Sequence, residues 1–190
     1  MRIIGGIFKG KKLLVPNDKN TRPLKDIVKE SILNLIQHSR KININIKNSL
    51  IFDLFSGSGS FGIECLSRGA KKVVFLENYP EAIKVLENNI KSLNDINNYE
   101  VIKDDCFKFF ETEKKIEFKF DIIFIDPPYQ ELKINKIIEK IIGKKLLNKN
   151  GIMIIHRHKK DKVELTKKVN IFEERFYGIS KIYFGNLETF

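Results

Sequence analysis

A chain of 190 residues with 42% hydrophobic composition holds enough apolar material for one sizeable core and is short for two full domains. Its two cysteines, Cys65 and Cys106, are too few and too far apart for a disulfide framework or a zinc cluster, so both are expected to be reduced. The formal net charge of +11 admits a polyanionic partner without proving one, because a lysine-rich surface also follows from biased composition. At the start, Met1-Arg2-Ile3-Ile4-Gly5-Gly6 meets Lys9, Lys11 and Lys12 before any long apolar run, which is not the plan of a signal peptide. No stretch approaches the roughly 20 apolar residues needed to cross a bilayer. A soluble, cytoplasmic protein without a membrane partner is expected.

Arg2-Ile3-Ile4 and Lys12-Leu13-Leu14-Val15 flank Gly10 and predict a small hairpin. Pro23 suits the first turn of a helix whose apolar stripe is Leu24, Ile27, Val28, Ile32, Leu35 and Ile36. Lys41 to Asn48 alternates Ile with polar residues among Lys and Asn, a pattern that fits strand or loop equally. From Leu50 onward strands alternate with helices: strand Leu50 to Leu54, helix Phe61 to Arg68 stopped by Gly69, strand Val73 to Glu77, and a helix opening at Tyr79-Pro80. Short strands follow at Glu100 to Ile102, Asp121 to Ile125 and Gly151 to Ile155, with a helix around Leu132 to Ile142. Such alternation predicts an α/β fold with a mostly parallel sheet and helices on both faces. Asn170 to Tyr177 and Lys181 to Phe184, joined near Gly178, read as a closing antiparallel hairpin, and Arg157 to Lys168 as an exposed charged segment.

The first chemical signal is Asp53-Leu54-Phe55-Ser56-Gly57-Ser58-Gly59-Ser60-Phe61-Gly62, where the first core strand gives way to a helix. Glycines there let backbone approach a ligand closely, although the spacing of Gly57, Gly59 and Gly62 also fits a dinucleotide loop or an ordinary tight turn. Glu77, ending the next strand, is placed to accept ribose hydroxyls in either cofactor class. Asp53 discriminates between the classes. It would repel a pyrophosphate, whereas S-adenosylmethionine carries a cationic amino-acid end and no phosphate. The bland alternative is a carboxylate that binds turn amides. After the third strand, Lys103-Asp104-Asp105-Cys106 stands at another carboxyl end, where Asp105 either accepts the adenine amino group or simply caps a turn. The candidate cofactor set is Asp53, Phe55, Gly57, Gly59, Glu77, Asp105 and Cys106.

The most specific signal is Asp126-Pro127-Pro128-Tyr129, directly after Ile122-Ile123-Phe124-Ile125. Two prolines fix an extended turn and leave carbonyls without competing local donors, giving a rigid acceptor site. The tyrosine that follows is suited to stacking on an extruded base. Asp126, Pro127 and Tyr129 are the candidate catalytic residues: carboxylate and Pro127 carbonyl accept the hydrogens of an aryl amine, and the ring holds the base.

With those motifs in view, the chain resembles the RsmD family, bacterial S-adenosylmethionine-dependent methyltransferases that act on the guanine amino group of 16S ribosomal RNA. The resemblance runs through Arg2-Ile3-Ile4-Gly5-Gly6 with Gly10 and Leu13, Thr21-Arg22-Pro23 leading to Lys29-Glu30, the glycine loop with Gly62 and Glu64, and Leu66-Ser67-Arg68-Gly69-Ala70. It continues in Asp126-Pro127-Pro128-Tyr129 and Arg175-Phe176-Tyr177-Gly178. It implies a Rossmann-like methyltransferase fold: a seven-stranded, mostly parallel sheet with a C-terminal antiparallel hairpin, in which residues 1–48 form a hairpin and helix extension to a methyltransferase domain at 49–190. It further implies N2 methylation of a guanine in 16S ribosomal RNA, of the guanine-966 type, on naked RNA or a small-subunit assembly intermediate, by a monomer. Two departures stand out: His156-Arg157-His158 follows the fifth strand where relatives commonly carry an acidic residue, and Asn78 follows Glu77 where aspartate is frequent. Two histidines without further ligands assign no metal.

Arg2, Lys9, Lys11, Lys12 and Arg22 are the candidate nucleic-acid contacts, with Arg157, Lys159 and Lys160 as a second group. Competing readings are an amino-group methyltransferase for DNA or another RNA, a dinucleotide-dependent oxidoreductase, and an RNA-binding protein without catalysis. Asp53 and the chemistry of Asp126-Pro127-Pro128-Tyr129 disfavour the oxidoreductase.

Overall fold

Seven segments, β1 (Leu50–Leu54), β2 (Lys72–Glu77), β3 (Tyr99–Lys103), β4 (Phe120–Ile125), β5 (Leu147–His158), β6 (Val169–Tyr177) and β7 (Ser180–Leu187), form one sheet in the order β3-β2-β1-β4-β5-β7-β6. The computed structural model of the protein describes residues 1–18, 23–112, 116 and 118–187. β1 to β5 pair in parallel, while β7 runs antiparallel to both β5 and β6. The helices α1 (Asp26–His38), α2 (Ser60–Ser67), α3 (Pro80–Lys91), α4 (Cys106–Glu111) and α5 (Ile134–Gly143) complete a Rossmann-like α/β architecture.

Alternation along each strand sorts its side chains onto two faces. Ile51, Phe75, Ile122, Phe124 and Ile154 pack with α1, α2 and α3, whereas Phe52, Val74, Ile123, Ile125 and Ile155 pack with α4 and α5. Because both faces are covered, the strands read as continuous apolar runs rather than alternating ones. On the outer layer, Ile134, Ile137, Ile138 and Ile141 recur at helical spacing and are all buried, so α5 docks along one stripe.

The first core face extends to the amino terminus. Ile3, Leu13, Val28, Ile32, Leu33 and Ile36 belong to the same cluster as Phe61 and Ile122, so the described part of residues 1–48 is continuous with the main core. The expected hairpin is reduced to a single antiparallel bridge, Arg2 to Lys12, flanked by amide bonds such as Ile3 N to Lys11 O at 2.9 Å. Lys41 to Asn48 forms neither helix nor strand, yet Ile42 and Ile46 are buried.

Glu64 docks the extension. It lies in α2, all of whose residues are buried, and its carboxylate accepts the amides of Ile4 and Gly5, each at 2.7 Å. Arg68 Nε donates to it at 3.0 Å, and the fully buried Lys29 Nζ stands 3.3 Å away while donating to the Arg2 carbonyl at 2.7 Å. Burial pulls the Lys29 ammonium below the usual lysine range, and Glu64 and Asp26 oppose that shift.

Three expectations change. The first helix begins at Asp26 rather than at Pro23. A short helix, α4, stands between the third and fourth strands, where Phe109 and Phe110 are buried. β5 extends through His156, Arg157 and His158, so the supposed exposed segment begins inside the sheet: Arg157 is only 2% exposed. No described helix is long and apolar enough to cross a membrane.

Candidate active site

The carboxyl ends of β1, β2 and β4 open into one cleft of about 610 Å³, within the range of roughly 300 to 1,000 Å³ typical of small-molecule sites. Asp53, Phe55, Gly57, Glu77, Asp105, Asp126, Pro127 and Tyr129 all line it. β1 leaves the sheet through Phe55, which holds φ 57°, a left-handed conformation costly for an aromatic residue and typical of functional turns. Gly57 follows at φ 55° with open space where a side chain would point.

Two carboxylates brace this loop. Asp53 is 1% exposed, and its Oδ2 accepts the Gly62 amide at 2.9 Å, which ties β1 to α2. Burial raises its pKa well above the usual aspartate range; the Gly62 amide opposes this, and the nearby Asp126 and Glu77 add to it. Glu77 accepts the amides of Gly57 at 2.7 Å and of Asn78 and Tyr79 at 2.9 Å each. An ionised carboxylate offers about four lone-pair directions, so these three bonds leave capacity for a ribose hydroxyl. The turn-amide reading of Asp53 and its place beside a ligand cleft thus coexist.

Asp105 caps α4: its Oδ1 accepts from Phe107 and Lys108 at 2.9 and 3.1 Å, while Oδ2 receives the Asn78 amide nitrogen at 3.1 Å. Its second oxygen faces Asn78, one of the two departures noted above.

Two candidates do not reach the cleft. Gly59 caps α2, and a Cβ there would strike Leu86 at 2.2 Å, so this glycine serves packing against α3. Cys106 is 3% exposed in the α4 core, where burial pushes its thiol far above the usual cysteine range, and the neighbouring Phe107 lines the cleft instead. Ser60, Phe61 and Tyr79 also line the cleft without having been named as ligand contacts, as does Asn78, noted above only as a departure. Ser60 matters most of these, because its buried Oγ has no hydrogen-bond partner at the first turn of α2.

On the opposite wall, the Asp126 amide donates to Leu54 O at 3.3 Å, which fixes the start of the proline turn against β1. His156 Nδ1 lies 2.8 Å from Asp126 Oδ1, with the imidazole 1% exposed. Tyr129 stands edge-on to His156 and His158, at centroid distances of 5.9 and 4.8 Å. His156 and His158 therefore back the loop that carries Asp126 and Tyr129.

The basic residues are less concentrated than expected. Arg2, Lys9 and Lys12 are exposed, Lys11 donates to the Ser92 carbonyl, and Arg22 lies outside the described residues. The turn bearing Lys9 docks on the far end of α2, where Ile7 N donates to Ser67 O at 2.8 Å and Phe8 N to Ser67 Oγ at 3.0 Å. α2 begins at the cleft with Ser60, so the turn bearing Lys9 docks at the end of that helix away from the cleft. Pro16, Pro23 and Leu24 line the cleft from the amino-terminal segment. Arg157 is likewise removed from the phosphate contacts, because it is buried against Asp161 and the 129–131 backbone.

Similarity to known proteins agrees with this geometry. The family profile described as Conserved hypothetical protein 95 matches residues 1–186. The chain is 34% identical over 181 residues to ribosomal RNA small subunit methyltransferase D of Buchnera aphidicola, covering 95% of this chain and 90% of that one. It is 33% identical over 185 residues to YlbH of Bacillus subtilis, covering 96% of each. The solved structure of HI0767 from Haemophilus influenzae superposes with a TM-score of 0.78 at 29% identity, covering 99% of both chains. A profile spanning nearly the whole sequence and relatives at a third identity across it establish that the chain belongs to the RsmD methyltransferase family.

Proposed function

We propose that the protein transfers a methyl group from S-adenosylmethionine to the N2 amino group of a guanine in 16S ribosomal RNA, of the guanine-966 type. The observation that carries the cofactor assignment is the cleft's charge: Asp53, Glu77 and Asp105 all line it. Three carboxylates suit a ligand bearing a sulfonium and an ammonium, and would repel a pyrophosphate. Ser60 adds a buried hydroxyl without a partner at the α2 amino terminus, where the helix dipole favours the ligand's carboxylate. Glu77 retains an acceptor for the ribose.

Such a cofactor supplies an electrophilic methyl group. The protein's own task is to present an aryl amine whose lone pair is otherwise delocalised into the ring. Asp126 and the Pro127 carbonyl each accept one amine hydrogen, which turns the nitrogen toward a pyramidal shape. Asp126 then offsets the positive charge that develops on nitrogen and receives its proton. Tyr129 holds the base, and positioning of this kind is worth up to roughly 7 to 11 kcal/mol in favourable cases. The Buchnera relative's name points to the small ribosomal subunit as the source of the base.

Labelled S-adenosylmethionine supplied with naked 16S RNA, small-subunit particles and duplex DNA tests the reading. Label in N2-methylguanosine from either RNA sample is the expected result, and label only in DNA, or in another nucleoside, overturns it. NADH binding in place of S-adenosylmethionine would reverse the cofactor assignment.

Asp53 gives a pH signature. Its raised pKa means that the carboxyl is protonated and neutral at acid pH, and only the ionised form attracts a cationic ligand. Affinity for S-adenosylmethionine is therefore expected to weaken as pH falls through that pKa, by at most about tenfold per pH unit. Asp53→Asn should flatten the dependence in calorimetric titrations. A pH-independent affinity in the native protein would remove Asp53 from the ligand's field.

A further inference from the structure

Arg157 is a buried cation that the proposed reaction does not itself use. Its guanidinium is buried in β5, on the α4 and α5 face, while His156 and His158 project to the other face. Nε pairs with Asp161, and Nη2 donates to the carbonyls of Glu131 at 2.8 Å and Tyr129 at 3.4 Å. Nη1 is buried without a partner. Both bonds go to backbone of the loop that carries Asp126, Pro127 and Tyr129. From the opposite face, His156 meets Asp126 and both histidines meet the Tyr129 ring. One strand end therefore grips the loop at its backbone on one side and at its functional side chains on the other.

We propose that Arg157 is a positioning residue for methyl transfer: it anchors the backbone of residues 129–131 and so fixes where Asp126 and Tyr129 stand in the cleft. A guanidinium suits this task because its planar fork can serve a carboxylate and two carbonyls at once, which a lysine ammonium on its single flexible stem cannot match. The cost of burying the charge is offset by Asp161 and the two carbonyls.

This inference rests on the reading of Asp126 to Tyr129 as the transfer site, so its test has one arm that needs no reaction. Amide hydrogen exchange on the free protein is expected to quicken at Tyr129, Gln130 and Glu131 in Arg157→Gln, with little change in the glycine loop. In single-turnover assays the same variant should lose about 10- to 100-fold in rate, as for other displaced or unsupported site groups. Its affinity for S-adenosylmethionine should stay within about twofold, because Asp53, Ser60 and Glu77 are untouched.

Combining Arg157→Gln with Tyr129→Ala should cost much less than the product of the two separate losses, since part of Arg157's effect passes through that ring. Arg157→Lys, which keeps the charge, should give an intermediate rate and faster loop exchange, and it decides the matter if the glutamine variant does not fold. Unchanged exchange at 129–131, multiplicative losses in the double variant, or cofactor affinity falling in step with the rate would each overturn the proposal. Quickened exchange in a protein whose native form methylates no RNA would support the anchor and reject the proposed reaction.

Discussion

Asp126→Ala is expected to raise the barrier to methyl transfer by about 2 to 4 kcal/mol while leaving cofactor affinity within about twofold. The asymmetry follows from when the carboxylate is needed. A neutral aryl amine gains little from a nearby negative charge, but an amine becoming cationic gains a great deal, so the loss falls on turnover rather than on binding. His156 beside Asp126 sharpens the comparison with Asp126→Asn. An amide can still accept a hydrogen bond from the imidazole or from the substrate amine, but it has no charge and takes no proton, so a smaller yet clear loss is expected. Single-turnover rates on 16S RNA, with cofactor binding measured separately, check both variants. Normal turnover in Asp126→Ala would remove the acceptor mechanism.

Tyr129 makes a different demand on the same assay. Tyr129→Ala should weaken capture of the base by about 1 to 3 kcal/mol, the usual value of a lost stacking partner, and Tyr129→Phe should be nearly silent. If phenylalanine were as damaging as alanine, the hydroxyl rather than the ring would carry the role.

Most of the sheet was legible in the sequence because both of its faces are buried. Short β-branched and aromatic runs such as Ile122 to Ile125, bounded by turn residues, fit strands of a covered sheet, and their carboxyl ends then fix where Asp53, Glu77 and Asp126 stand. Short amphipathic pieces were harder. α4 has six residues, too few for helical spacing to show, and it owes its start to the Asp105 cap. Gly59 lies in the glycine loop and Cys106 at the carboxyl end of the third strand, beside residues that do reach the cleft, yet a step of one residue separates lining from packing. Arg157 was misplaced for a chemical reason: a run of charges reads as solvent-exposed, and only the fold reveals that two loop carbonyls and Asp161 meet this one. Ser60 gave no signal, since an unpartnered hydroxyl becomes visible only when its surroundings are known.

Glu64 gives the largest expected effect on stability. Glu64→Ala should destabilise the protein by about 3 to 5 kcal/mol, the usual consequence of removing one member of a buried ion pair. Among the described residues, Lys29 would keep a fully buried ammonium with Asp26, 3.8 Å away, as its remaining carboxylate partner. The amides of Ile4 and Gly5 would lose their acceptors as well. Glu64→Gln keeps an acceptor for one or both amides and should fall between the two. For a chain of this size each kcal/mol moves the unfolding midpoint by roughly 2 to 4 °C, so thermal scans and urea titrations can resolve all three proteins. The stronger expectation concerns the pair: adding Lys29→Met to Glu64→Ala should recover part of the lost stability, because the uncompensated charge goes while the two amides remain unmet. Limited proteolysis locates the damage. If Glu64 is the dock for the amino-terminal segment, cleavage in the first 15 residues should speed up before the sheet is attacked, and cleavage spread evenly along the chain would show that Glu64 supports the core as a whole.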